Sequence, residues 1–135
     1  MTSSQSIAVS MVFGLGLALV PAAWAAPASD ACATLVDERG ALYSMLNAKG
    51  KSAQDALNAK VQAASTKLDS VLAGMTGTDA KVAAEFRAIW NQFKATREKE
   101  LIPAIYKGNA DDAKKIADGI QLDRLSEMWG IMSCR

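Results

Sequence analysis

Apolar side chains recur at three- and four-residue steps along almost the whole chain after residue 30, the spacing that gathers them on one face of an α-helix. Cys32, Leu35, Val36, Leu42, Tyr43 and Leu46 make a first stripe, with Ser29 ahead of it as a candidate N-cap and Gly50 behind it as a stop. Ser52 opens a second stripe through Leu57, Val61, Ala64, Leu68, Val71 and Leu72, rich in alanines that favour helix and let a neighbour approach. After a break at residues 74–77, Thr78 or Asp79 starts the most aromatic stripe: Val82, Phe86, Ile89, Trp90, Phe93 and Leu101. Gly108 and Asn109 close it, and Asn109 is placed to cap a fourth helix carrying Ala113, Ile116, Ala117, Ile120, Leu125, Met128, Trp129 and Met132. The spacing predicts helices over about 30–49, 53–73, 79–107 and 110–133.

No β-branched run alternates with period two, and the three connections are short, so the expectation is an all-α, antiparallel up-down-up-down four-helix bundle. Pro103 falls inside the third helix, where it removes one backbone bond and bends the last turn. Two cysteines, Cys32 and Cys134, stand at the extremes of the helical region. Four alternating helices begin and end at the same pole, which is where a Cys32–Cys134 disulfide requires its partners to be.

The N-terminus adds a compartment. No charged side chain precedes Asp30, the apolar run Ile7–Val20 is shorter than the about 20 residues of a membrane span, and Ala23-Trp24-Ala25 is a small-x-small cleavage pattern behind Pro21. Residues 1–25 are therefore expected to be a signal peptide cleaved on export. That leaves residues 26–135 as one domain in the periplasm, without a membrane span in its mature form and in a compartment that favours the disulfide.

The 15 basic and 14 acidic residues give a net charge of +1, which offers no field to draw nucleic acid. Histidine is absent, so neither a c-type haem motif nor an axial imidazole exists, and two cysteines alone do not make a zinc site; no cofactor or metal is expected. Met45, Met75, Met128 and Met132 read as core filler. Nothing nominates a general base or nucleophile, so the chain reads as a non-enzyme.

The stretch from Phe86-Arg87-Ala88-Ile89-Trp90-Asn91-Gln92-Phe93, through Thr96-Arg97-Glu98-Lys99-Glu100-Leu101-Ile102-Pro103 to Gly108-Asn109, followed by Ala113, Ile116 and Ala117, resembles the third-helix, turn and fourth-helix signature of the four-helix-bundle sensing domain of bacterial methyl-accepting chemotaxis receptors. The resemblance covers about 40 residues, and the other helices follow by pattern only. It implies a sensing module that dimerises through helices one and four. The chain ends at Arg135, where those receptors continue into a second span and a signalling coiled coil. The expectation is thus a free-standing exported copy whose membrane ties are replaced by a disulfide.

The receptors' several first-helix arginines have one counterpart here, Arg39. Counted along the expected helices, Arg39, Arg97 and Arg124 fall within about 6–8 Å of one another along the bundle axis. One reading is a carboxylate pocket with Arg39 and Arg97 as the ion partners, Tyr43, Trp90 and Phe93 as walls and Arg124 nearby. The other is that the arginines pair with Asp37, Glu100 and Glu127 or lie on the solvated face, with Trp90 and Phe93 simply core. Tyr106 and Trp129, near helix ends, are candidates for partial exposure. The expected function is an exported binding module for a small solute or for the periplasmic part of a membrane receptor. A chaperone-like or structural envelope protein is the alternative.

Overall fold

The computed structural model describes residues 22–135. The signal-peptide reading of residues 1–25 therefore falls almost wholly outside the described residues. Every regular element among them is helical: α1 (Ala22–Asn47), α2 (Lys51–Gly74), α3 (Ala80–Thr96), α4 (Ile102–Tyr106), α5 (Ala110–Asp118) and α6 (Ile120–Ile131), with no strand. A short 3-10 turn, Gly77–Asp79, leads into α3, and a π-turn, Arg97–Leu101, joins α3 to α4. The six helices make four rods in a bundle-like arrangement: α1, α2, α3 with α4, and α5 with α6.

Side-chain contacts join the rods. Along α2, Asp55, Gln62 and Asp69 meet Tyr106, Glu98 and Trp90 in turn. On α1, Cys32 is bonded to Cys134 and Tyr43 meets Asp118. Inside, Leu35, Leu68, Phe86, Trp90, Phe93 and Met128 are all fully or almost fully buried. The Trp90 and Phe93 rings stack with centroids 5.5 Å apart.

The helix limits differ from the spacing-based expectation where backbone chemistry intervenes. Ser29 lies within α1, which begins at Ala22, so it caps nothing. At α2 the N-cap is Gly50, held at φ 91°, and Ser52 sits inside the first turn. Asn109 is the N-cap of α5, yet its carbonyl, not its side chain, takes the Ala113 N–H at 3.0 Å. Gly108, at φ 75°, ends α4 as expected: its N–H bonds Ile105 O and that of Asn109 bonds Ala104 O, the paired closure that favours glycine at the left-handed position.

Two expected continuous helices are interrupted. In the third rod, Pro103 has no N–H to give Lys99 O and its ring crowds that carbonyl. The chain relieves this one turn earlier by widening into the π-turn, with the Ile102 N–H reaching back to Arg97 O. In the fourth rod, α5 and α6 are separated at Gly119 (φ −97°, ψ −111°), where a Cβ would lie 2.7 Å from Lys115 O. Glycine is the residue that permits this closeness.

The C-terminus closes with a non-glycine residue in the left-handed region. Ser133, at φ 52°, donates to Gly130 O, and Cys134 donates to Trp129 O at 3.0 Å. This turn carries Cys134 back to Cys32, with 5.7 Å between their Cα atoms and 102 residues between them in sequence. The disulfide expected from the sequence is formed. No described helix is long and apolar enough to cross a membrane.

Candidate functional site

Each of the four rods buries a polar residue, Glu38, Ser65, Arg97 and Gln121, and α1 buries Thr34 as well, whose hydroxyl donates to Asp30 O at 2.7 Å. On α1 the buried line runs Ala31, Leu35, Glu38, Leu42, Met45; on α2 it runs Val61, Ser65, Leu68, Leu72; on the third rod Phe86, Trp90, Phe93, Arg97; on the fourth Ala117, Gln121, Leu125, Met128. Glu38 is 0% exposed and Arg97 2%. An Arg97 Nη1 to Glu38 Oε1 ion pair joins them. Ser65 Oγ donates to Glu38 Oε2 at 3.0 Å and receives a bond from Arg97 Nη1 at 2.5 Å.

Arg97 also reaches outward. Its Nε and Nη2 bind Glu98 Oε1 at 2.9 and 2.7 Å, and Gln62 donates to the same oxygen at 2.8 Å. The guanidinium carbon lies 5.9 Å from the centroid of the Trp90 ring, whose Nε1 donates to Asp69 at 2.7 Å. One buried cation thus serves two carboxylates, one deep and one at the surface. Burial pushes the Glu38 carboxyl above its ordinary range, against the opposing pull of Arg97 and the hydrogen bonds from Arg97 and Ser65.

The fourth rod braces the run into the π-turn. Gln121 Nε2 donates to Phe93 O at 3.0 Å, while Arg124 Nη1 donates to Gln92 O at 3.1 Å, Thr96 Oγ1 at 2.5 Å and Gln121 Oε1 at 3.1 Å. No buried side-chain nitrogen or oxygen among the described residues lacks a partner. A fully satisfied network of this kind fixes the relative height of the rods.

The six residues singled out from the sequence therefore divide. Trp90, Phe93 and Arg97 lie together in the buried layer, with Arg124 at its edge. Arg97 has all three guanidinium nitrogens engaged within the protein, and Arg124 is engaged through its Nη1. Arg39 and Tyr43 lie elsewhere, on the outer side of α1. There Tyr43 donates to Asp118 Oδ1 at 2.6 Å, and the Arg39 guanidinium carbon stands 5.3 Å from the centroid of the Tyr43 ring. Arg39 and Arg97 do not converge on one pocket. The acidic partners found for Arg97 are Glu38 and Glu98, not Asp37, Glu100 or Glu127.

Arg39 borders a different concavity. Leu35, Val36 and Arg39 of α1 face Leu122, Leu125, Ser126 and Trp129 of α6 across a groove of about 340 Å3. Its walls are apolar, and Arg39 makes no ion pair among the described residues. Val36, which the stripe of apolar spacings directed inward, is 52% exposed at the groove's rim, because the core line of α1 passes through Glu38 instead. Ile120, placed inward by the same spacing argument, is 47% exposed beside the Gly119 break. Trp129 and Tyr106 are half-buried, as their positions suggest.

No known protein family, curated protein or solved structure matches this chain. The molecule is an all-helical, bundle-like protein closed by one disulfide, and its site stands on its own geometry.

Proposed function

We propose that this chain is an exported binding module, cut behind Ala25 and working in the periplasm as a relative of the chemoreceptor sensing domain. Its function is binding, not catalysis. The opposite-sense pairings between α1 and the fourth rod and between α2 and the third support an antiparallel up-down-up-down bundle. The disulfide between Cys32 and Cys134 supports an oxidising compartment.

The observation that carries the binding role is the groove between α1 and α6. It combines largely apolar walls with a single cation, Arg39, that makes no direct ion pair among the described residues, at a volume near the lower end of small-molecule sites. Such a groove suits a small apolar acid: the body packs on Leu122, Leu125 and Trp129, and the carboxylate meets Arg39. The test is a thermal-shift titration of oxidised protein with short aliphatic and aromatic carboxylates. A rise in melting temperature that disappears in Arg39→Gln is expected. Equal shifts in both proteins, or none with any acid, would overturn the reading.

A second reading rests on Val36. It forms the ridge between this groove and a neighbouring one over α1 and α2, and a large exposed aliphatic at that point favours a docked helix, from a receptor or from a second copy. Sedimentation of wild type and Val36→Asp decides it: an assembly lost in the variant supports docking, and a monomer at all concentrations without a captured receptor fragment removes it.

A further inference from the structure

Four of the chain's sulfur-bearing side chains border one cavity. Cys32 and Cys134 line this cavity of about 590 Å3 together with Met75, which follows α2, and Met132, which follows α6. Both methionines are buried, whereas both cysteines are half-buried and reach the cavity. This is more soft-donor chemistry than a disulfide staple requires. Among the described residues no group of three or more His, Cys, Asp or Glu could hold a metal ion. The cavity wall offers one hard carboxylate donor, Asp79, and two soft thioether donors, Met75 and Met132, beside the cysteines.

We propose that this cavity is a latent site for monovalent copper, assembled when the disulfide is reduced. A dithiol reductant gives two electrons and two protons to the sulfur–sulfur bond and closes to its own disulfide, leaving Cys32 and Cys134 as thiols. Cu(I) then displaces one proton from each thiol to water. The two thiolates take the metal with thioether support from Met75 and Met132. Thiolate and thioether ligands select Cu(I) over the harder divalent ions, which seek nitrogen and oxygen. Two thiolates on one Cu(I) leave a negative charge, beside which the cavity wall carries one cation, Arg135, and one carboxylate, Asp79. The Cα separation of 5.7 Å already holds the cysteines close enough to share one ion. Oxidised, the site is a covalent staple; reduced, a metal takes over the same cross-link.

The test compares wild type, Met75→Leu/Met132→Leu and Cys32→Ser/Cys134→Ser, each full mature chain reduced by a phosphine and titrated with Cu(I) against a chromophoric chelator. Wild type is expected to take one Cu(I) per chain, the methionine variant to bind at least about tenfold more weakly, and the cysteine variant not to compete. Helical circular dichroism is followed in parallel, so that if reduction loosens the fold, its recovery on adding Cu(I) serves as the same readout. X-ray absorption of the loaded wild type counts the sulfurs: more than two supports the proposal. Two sulfurs only, an unchanged affinity in the methionine variant, or failure of reduced wild type to compete overturns it.

Discussion

Glu38 and Arg97 face each other from the first and third rods, both sealed from water, and Ser65 of the second rod holds the carboxylate oxygen that Arg97 does not pair with. Arg97 takes the next position on the core line that runs through Phe86, Trp90 and Phe93, and the π-turn begins at that same residue. The ion pair and the irregular backbone thus adjoin: regular helical spacing carries the cation inward, Glu38 makes its burial tolerable, and the widened turn that Pro103 calls for follows directly.

Breaking that pair from one side strands a charge. Arg97→Met is expected to cost about 3–5 kcal/mol of unfolding free energy, because Glu38 is left buried without its cation. Adding Glu38→Leu to Arg97→Met should recover most of the loss, since an apolar pair of similar volume has no desolvation penalty. Urea unfolding of the two variants checks this. A double variant no more stable than Arg97→Met would show that packing around the guanidinium, not charge, sets the cost.

The same burial gives stability a pH dependence. The folded pKa of Glu38 lies above its ordinary value of 4.5, because burial disfavours the anion more than Arg97 and Ser65 favour it. Its contribution is therefore fully present below 4.5 and is lost as pH rises through the folded value. Asp55 and Asp118 act in the reverse sense: hydrogen bonds from Lys51 and Tyr106, and from Lys114 and Tyr43, hold them below 3.8, so their contributions are lost as pH falls. Denaturant midpoints measured from acid to neutrality should show wild type losing ground to Glu38→Gln as pH rises. A constant difference would place the Glu38 pKa at its unfolded value.

Much of this was legible in the apolar spacing, which depends only on side-chain period. Four helical rods, the pole where Cys32 and Cys134 meet, and the turn at Gly108 follow from residue types that act locally. Glu38 was missed although its position was marked: it falls between Leu35 and Leu42 at core spacing, where a stripe drawn through apolar residues alone stepped aside to Val36. Ser65, Arg97 and Gln121 occupy core positions on their own rods in the same way, and a register counted by position would have aligned all four. The π-turn and the Gly119 break were less accessible. They depend on how the backbone absorbs a crowded carbonyl at Lys99 and a close approach at Lys115.

Gly119 tests that backbone argument. A methyl group there would sit 2.7 Å from Lys115 O, which belongs to the backbone and cannot swing aside. Gly119→Ala is expected to destabilise by about 1–3 kcal/mol despite alanine's higher helix propensity. Gly130→Ala, where a Cβ meets nothing within 4 Å, should be neutral or stabilising. Thermal unfolding of both separates local strain from propensity, and equal effects would remove the strain.

At Ser133 the expected sign is reversed. Its φ of 52° is a conformation that costs an L-residue about 1–2 kcal/mol, and glycine adopts it freely while giving back about 0.5–1 kcal/mol through its looser unfolded state. Ser133→Gly should therefore stabilise by up to about 1 kcal/mol, and Ser133→Val, whose branched Cβ tolerates the left-handed region least, should destabilise. The comparison is made on oxidised protein, because the turn at Ser133 delivers Cys134 to Cys32. The variants should then report the turn itself as long as both retain the disulfide. Destabilisation by glycine would mean that the serine hydroxyl, not the backbone, governs this end of the molecule.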